Sequence, residues 1–587
     1  MTDTSLSSGG TVIEQPVSAT RTLLGQVRYA NRGFWRTPVA AFFTLLFPLS
    51  FLVILSALYG NEVVDPDTGL RLAQYTTPVF AVFGACMATY VSLGSALAHA
   101  RHSGVLKRLR GTPLTPPMHI AGRVLSAIWL AALAVVLMIS AGVGLYGVQI
   151  VWANVPALVL TFVVGTGCFA ALGIALAAVA PTPNAATTFG NASLILLSFI
   201  SGVFGFGELP DWMDRLASVF PLEPFVESFS DGFNPYVEAS SPDWANLGVI
   251  LAWGVVGAVL AGRAMGVDPD TRRRRAPAEP AADLGLAGQG GAGQGTEPTA
   301  ARSPAVVTGS APGPSALARQ QTRYATLQII RDPMSLFFAV AFPVILVVFF
   351  SSVYGDEAQW GGLPLPQYLA AALAVYAVAT SAFLNLAGSI ADTRAPGVLK
   401  RLRGTPLPTW AYLAGRVVCA LLIGLTTVVA IFVICVLFFA VTLPPATWAP
   451  TLLTFTLAIA CFAACGLALV ALVDGPQAVT AVGLSLLLPL SFISDIFVAV
   501  ESMPTVLNAV GWFFPLRHAV AGAVAATSGG QLDATFWTHL LVLGLWMVAM
   551  ALVARRWFHW EPRGGRGGRH RHPREGTELA RVTTTAG

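Results

Sequence analysis

Charge is scarce in this sequence: 11% of its 587 residues are Asp, Glu, Lys or Arg, while 55% are hydrophobic. A soluble domain carries about 25% charged residues, so most of the chain is not built for water. Lysine is scarcer still. Its two positions, Lys107 and Lys400, are each followed by Arg, whereas a P-loop requires Gly-Lys and then Ser or Thr; nucleotide hydrolysis is not expected of this chain. The first 20 residues lack an apolar core, so no cleavable signal peptide is expected and the amino terminus is expected to stay in the cytoplasm. Alternating ten-residue strand patterns are absent, which excludes an outer-membrane barrel. The six cysteines (Cys86, Cys168, Cys419, Cys435, Cys461 and Cys465) fall inside apolar stretches without clustered His or acidic neighbours, and read as small core residues, not metal or redox centres. Acids are almost missing from the apolar stretches as well. Carriers coupled to protons or sodium use intramembrane Asp, Glu or His relays, so the energy for any transport is expected to enter from outside the membrane.

What is present is a series of apolar runs of about 20 residues, the length of a helical membrane span. In lipid such runs must be helices, because backbone groups find no other partners. They are predicted near 39–59, 76–98, 121–147, 154–180, 185–207 and 245–265, and again near 334–354, 367–389, 412–442, 447–473, 476–500 and 535–558. The string GVLKRLRGTPL stands at 104–114 and recurs letter for letter at 397–407. Around it Phe47-Pro48 matches Phe342-Pro343, Ala121-Gly122-Arg123 matches Ala414-Gly415-Arg416, Cys168 to Ala171 matches Cys461 to Ala464, and Phe220-Pro221-Leu222 matches Phe514-Pro515-Leu516. One unit has been doubled.

The expected fold is an all-α polytopic membrane protein with twelve transmembrane helices as two parallel six-helix repeats. Its expected divisions are an N-terminal tail, 1–20; a first unit, 21–266; a cytoplasmic linker, 267–316, rich in Ala, Pro, Gly and Arg; a second unit, 317–560; and a basic tail, 561–587. That tail reads either as solvated or as touching anionic lipid. Lys and Arg gather before span 1, between spans 2 and 3 (Arg101, Lys107, Arg108, Arg110) and after span 6, whereas Asp and Glu follow spans 1 and 5. The positive-inside rule then places both termini in the cytoplasm and gives the repeats one orientation.

The doubled basic motif is an amphipathic cationic helix, with Val105, Leu106 and Leu109 opposed to Lys107, Arg108 and Arg110, stopped by Gly111, Thr112 and Pro113. Its copy runs Val398, Leu399, Lys400, Arg401, Leu402, Arg403, Gly404, Thr405 and Pro406. A positive-inside loop explains the charge but not the identity of the two copies, which points to a partner that contacts both. Before each span 1 lies a second cationic stripe, Arg21, Arg28, Arg32 and Arg36 in one repeat and Arg323 and Arg331 in the other. Its spacing fits an interfacial helix, serving either as a membrane anchor or as a partner contact.

Together, six spans per unit, a cationic helix before span 1, a basic loop ending Leu-Arg-Gly-Thr-Pro-Leu and a long outward segment before span 6 resemble the type-2 ABC exporter permeases. The fused double unit resembles in particular the actinobacterial antibiotic and multidrug exporters. The resemblance implies that both basic loops dock in grooves of a separately encoded ABC ATPase, present in two copies, which holds the ATP and Mg; that this chain binds no cofactor; that it lies in the bacterial cytoplasmic membrane; and that spans 2 and 5 line the path of a small amphiphilic substrate. Nucleic acid is not expected as a partner. An ABC permease for a lipid or glycan envelope component and a secondary carrier are the alternatives.

The repeats differ near the end of span 5. Phe199-Ile200-Ser201-Gly202-Val203-Phe204 becomes Phe492-Ile493-Ser494-Asp495-Ile496-Phe497, and Glu223 becomes Arg517. An acid inside a span costs several kcal/mol unless it meets water or a partner. Asp495 is therefore expected to face a substrate path walled by Phe199, Phe204, Phe492 and Phe497, or else to cap a break in span 5.

Overall fold

The computed structural model describes residues 19–37, 41–58, 63–65, 70–109, 114–203, 211–234, 242–265, 313–330, 337, 341–354, 359–360, 362–395, 397–404, 407–497, 503–529 and 532–559. The expected N-terminal and C-terminal tails and nearly all of the expected linker lie outside these residues, although a helix already begins at Pro314. Among these residues the architecture is all-α apart from one small antiparallel hairpin after span 1 of each repeat, Val63–Asp65 with Leu70–Arg71 and Gln359–Trp360 with Leu363–Pro364.

Among the described residues eight helices are long and apolar enough to cross a membrane. They are spans 2, 3, 4 and 6 of each repeat: Leu72–His102, Pro117–Tyr146, Trp152–Val179 and Trp244–Arg263, then Leu365–Arg394, Trp410–Phe438, Pro445–Leu472 and Ala534–Trp557. Among the described residues spans 1 and 5 are shorter apolar helices, Thr44–Ala57, Ala185–Ile200, Phe342–Ser351 and Ala478–Ile493, so eight of the twelve expected spans reach full length there. Span 5 ends early because the chain turns at a left-handed residue, Gly202 (φ 67°) in one repeat and Asp495 (φ 57°) in the other.

The long outward segment before span 6 is helical over much of its described length. Asp211–Ala217 and Leu222–Asp231 fill it in the first repeat; Thr505–Phe513 and Pro515–Thr527, bent by 82°, fill it in the second. The bend falls where proline requires it: Pro515 opens the second helix and holds Phe514 extended (φ −86°, ψ 152°), as the ring of a following proline does. The same local structure recurs around two tryptophans. Trp253 donates its indole N–H to the carbonyl of Val219 at 2.8 Å and stacks on Phe220; Trp546 donates to the carbonyl of Phe513 at 3.1 Å and stacks on Phe514.

The compact units of the structure do not follow the repeats. The first comprises Met1–Gly313, Asp332–Leu369 and Pro489–Gly511. It holds the first repeat together with span 1 and the end of span 5 of the second, and aromatic packing joins them. Phe51 meets Phe492 edge-on with ring centroids 4.4 Å apart, and Phe199 meets Phe349 at 5.3 Å and Phe350 at 5.8 Å. Within this unit span 2 is the best-buried helix, with Phe80 and Phe83 fully enclosed. Span 6 leaves Leu251, Val255 and Val259 exposed, the surface a helix presents to lipid.

The second unit comprises Pro314–Arg331, Ala370–Leu488 and Trp512–Gly587. Its core lies between spans 2 and 4, where Phe455, Ile459 and Val470 are enclosed, while span 6 exposes Leu541, Leu545 and Val548.

In both units span 2 contains one π-helical segment, Met87–Ser92 and Thr380–Asn385. A glycine of span 4 lies against each. A Cβ on Gly173 would sit 2.7 Å from the carbonyl oxygen of Thr89, and one on Gly466 2.7 Å from that of Phe383. The wide turn turns carbonyls outward, and only glycine lets the neighbouring helix approach them so closely.

Candidate functional site

Each copy of the basic motif leaves span 2 through a glycine with positive φ, Gly104 at 71° and Gly397 at 75°. That backbone conformation favours glycine and reverses the chain into a short helix, Val105–Leu109 in the first unit and Val398–Arg403 in the second. Matching bonds start both helices, from the N–H of Arg108 to the carbonyl of Gly104 and from that of Arg401 to Gly397. Lys107 and Arg108 are exposed, while Val105, Leu106 and Leu109 are half-buried. In the copy Lys400, Arg401 and Gly404 are exposed, Leu402 is half-buried and Leu399 is fully buried. The predicted site residues Arg110, Gly111, Thr112, Pro113, Thr405 and Pro406 lie outside the described residues. Val398 is exposed as well; the first helix thus sets its apolar side against its own unit, the second does so through Leu399 and Leu402, and both offer cations to the surroundings.

A residue just upstream of the second copy does something different. Arg394 is buried and donates to the carbonyls of Val470 and Val473, 2.7 Å each, and pairs with Asp474 at 3.4 Å. Arg101, its counterpart, donates to the carbonyls of Ala177 and Ala178. Both guanidinium groups close the C-terminal end of span 4, where four carbonyls lack helical partners and the helix dipole favours a cation. The shared offset of 293 residues from one arginine to the other was visible in the sequence; the carbonyls they would meet were not.

The interfacial helix Ala19–Trp35 buries no residue and leaves Arg21, Arg28 and Arg32 exposed; Arg36, just past its end, is exposed too. Its counterpart, Pro314–Ile330, exposes Arg323, and Arg331 lies outside the described residues. Both helices press on the start of span 3 at a glycine. A Cβ on Gly122 would lie 2.5 Å from Cβ of Gln26, and one on Gly415 2.6 Å from Cβ of Gln321. Polar contacts hold the same seams: Gln26 Oε1 is 3.0 Å from Nδ1 of the buried His119, whose Nε2 accepts from Arg123 Nε, and Arg416 donates to Gln328 Oε1 at 3.2 Å.

Of the predicted path residues, Phe204 lies outside the described residues. Phe199 and Phe492 are buried at matching places, each against span 1 of the other repeat. Phe497 is buried 5.0 Å from Phe492. Asp495 is not inside a span. The helix stops at Ile493, and Asp495 occupies the left-handed residue after it, with a bond from the N–H of Ile496 back to the carbonyl of Ser491. Gly202 occupies the same place, with Val203 bonding back to Ser198. This is the glycine-terminated helix end, and Asp is among the few other residues that tolerate it. The backbone carbonyl of Asp495 accepts from the Tyr368 hydroxyl at 2.7 Å. The exchange of Gly for Asp therefore answers to backbone conformation first.

All six cysteines are free, and five are buried. Among the described residues no group of three or more His, Cys, Asp or Glu side chains is placed to hold a metal ion.

A family model described as ABC-2 type transporter matches the chain twice, over residues 26–234 and 318–527. The chain belongs to the ABC-2 type transporter family. It contains that permease domain in duplicate, as a multi-pass membrane subunit of an ABC transporter. It is similar to the daunorubicin resistance ABC transporter permease protein DrrB1 of Streptomyces coeruleorubidus, 30% identical over 213 residues, 35% of this chain and 71% of that protein. It is also similar to the putative transport permease YvfS of Bacillus subtilis (strain 168), 22% identical over 232 residues, 39% of this chain and 91% of that protein. Each match spans little more than a third of this ABC-2 chain but most of the relative, as expected where one chain fuses two units.

Proposed function

We propose that this ABC-2 permease is the membrane half of an ATP-driven exporter. It moves hydrophobic or amphiphilic compounds such as drugs out of the cell, with energy from two copies of a separately encoded ABC ATPase that hold the ATP and Mg. The observation that carries this reading is the pair of short basic helices, identical in sequence, each entered through a positive-φ glycine and each preceded by an arginine fastened to the end of span 4. A push on the basic helix passes directly into span 2, and through Arg101 or Arg394 into span 4 of the same repeat. Two ATPase subunits closing beneath the two helices would thus move two spans of each repeat together. On the charge distribution the chain sits in the bacterial cytoplasmic membrane with both termini inside. The buried rings of Phe199, Phe492 and Phe497 suit apolar cargo better than sugars or ions. The test is to reverse the charge of Lys107, Arg108, Arg110, Lys400, Arg401 and Arg403 together. The variant should insert normally and fail to co-purify with the ATPase; retention of an active ATPase would remove the docking assignment. Stimulation of ATP hydrolysis in the reconstituted wild-type complex by envelope lipid or glycan, and not by drugs, would reassign the cargo.

A further inference from the structure

The end of the first repeat farthest from its basic helix contains a cavity of about 210 Å³. The helix of span 3, Pro116–Tyr146 and 31 residues long, separates the two, about 46 Å at 1.5 Å per residue. The cavity is lined by Asn154 and Thr161 of span 4 and its approach, Ser228 and Asp231 of the helix before span 6, and Asp243 at the start of span 6. Asn154 and Ser228 are only 4% and 7% exposed, and neither Nδ2 of Asn154 nor Oγ of Ser228 has a hydrogen-bond partner. Buried polar atoms nearly always have a hydrogen-bond partner, so two orphans lining one cavity mark it as a place suited to a polar guest.

The charge around the cavity gives the sign of that ligand. Asp243 spends Oδ1 on capping span 6, accepting from the N–H groups of Ala245 and Asn246, and Asn246 in turn donates to Glu227. Burial, and then the neighbouring carboxylates Glu227 and Asp243, push the Asp231 carboxyl above its usual range. Among the described residues no basic side chain pairs with Glu227, Asp231 or Asp243. A bare metal ion does not fit, since the carboxylates are not gathered closely enough to ligate one.

The second repeat supplies an internal control. Counting from Trp253 and Trp546, and from Phe220 and Phe514, Phe536 stands where Asp243 does, Ala525 where Asp231 does and Ala526 where Gly232 does. There Phe536 and Ala526 are buried in an apolar cluster with Leu540. One repeat has filled the space with a phenyl ring, and the other keeps it open, polar and acidic.

We propose that this cavity binds a small primary ammonium group with an adjacent oxygen, as in an amino alcohol. The ammonium takes the place between Asp231 and Asp243, and the oxygen accepts from Asn154 Nδ2 and Ser228 Oγ. This goes beyond the transport reading and does not require that the bound compound be the cargo. The same chemistry occurs in the phosphatidylethanolamine headgroup and in soluble amino alcohols.

The test uses the full chain in nanodiscs of phosphatidylcholine and phosphatidylglycerol, titrated calorimetrically with ethanolamine. Saturable binding is expected. It should weaken tenfold or more in Asp231→Asn and also in Ser228→Ala, a milder change that guards against misfolding of the first. Choline, which has no N–H to donate, should bind at least tenfold more weakly than ethanolamine. Repeating the titration with phosphatidylethanolamine in the disc separates the sources: competition assigns the site to the headgroup, and unchanged binding to a soluble compound. No saturable binding, affinity unaltered in both variants, or calcium binding that is lost in the same variants would each overturn the proposal.

Discussion

Arg394 reaches from the end of span 2 to Asp474 at 3.4 Å, yet its two shorter bonds, 2.7 Å each, go to backbone carbonyls of span 4. The carboxylate is about one-third exposed, whereas the guanidinium is 2% exposed. Removing one partner of a buried charge pair costs about 3–5 kcal/mol, and a partly exposed ion pair contributes about 0–1 kcal/mol. Arg394→Leu should therefore lower the melting temperature sharply in detergent, and Asp474→Asn should barely move it. Equal losses would mean that the carboxylate, and not the helix end, holds the arginine. In the first repeat Pro181 stands where Asp474 does, so Arg101 already makes its bonds without an acid at that place.

At the end of span 5 the backbone conformation sets an order of tolerance. Asp495→Gly should melt close to wild type, because Gly202 stands in the same conformation in the other repeat. Asp495→Val should cost about 1–2 kcal/mol, the penalty of the left-handed region for a side chain branched at Cβ. Thermal melts of the two variants decide this. A cargo role is tested separately: if Asp495→Asn exports every compound as wild type does, the carboxylate does not line the route.

Glu223 gives a pH dependence. Burial first, then Asp214 and Glu227, raise its carboxyl to about 7 from an ordinary 4.5. Because the folded value is the higher one, the stability from this group is fully present below about 4.5 and is lost as pH rises through 7. Glu223→Gln should match wild type at pH 4.5 and be more stable at pH 8 by about 1 kcal/mol, a figure reduced for partial exposure. A constant difference between the two proteins across that range would contradict the assignment.

The seam between the interfacial helix and span 3 should be sensitive to size. Gly122→Val must displace Gln26, and overpacking of this kind costs about 1–3 kcal/mol. Gly144, later in the same helix, has nothing within 4 Å of an added Cβ; Gly144→Ala should be neutral or stabilising by up to about 1 kcal/mol. Melting temperatures of the pair check the contrast, and a destabilised Gly144→Ala would show that helix propensity is not what decides there.

The repeat, the helical class and the position of the basic motif were legible because each rests on local pattern: a letter-for-letter copy, apolar length and punctuation by glycine and proline. Three features were not. The π-helical segments of span 2 depend on Gly173 and Gly466 in another span, and only the recurrence of glycine after Cys-Phe-Ala-Ala hinted at them. Span 5 was drawn too long because Phe-Ile-Ser-Asp-Ile-Phe is apolar enough to continue, while the turn is dictated by φ at one residue. Arg101 looked like a loop charge, and its counterpart Arg394 did not stand out, because a sequence does not disclose which carbonyls lie 76 residues away.

The opposition of Glu223 and Arg517 at matching positions has a consequence for how such a membrane protein can change. Were the same architecture assembled from two copies of one gene product, any new side chain would arise twice, and an acid could acquire no complementary base at its twin without losing itself. Covalent fusion lifts that restriction. Each half can mutate alone, so one may open a niche where the other keeps a ring, and selection can shape a lopsided interior while the twin arginine clamps and basic helices stay alike.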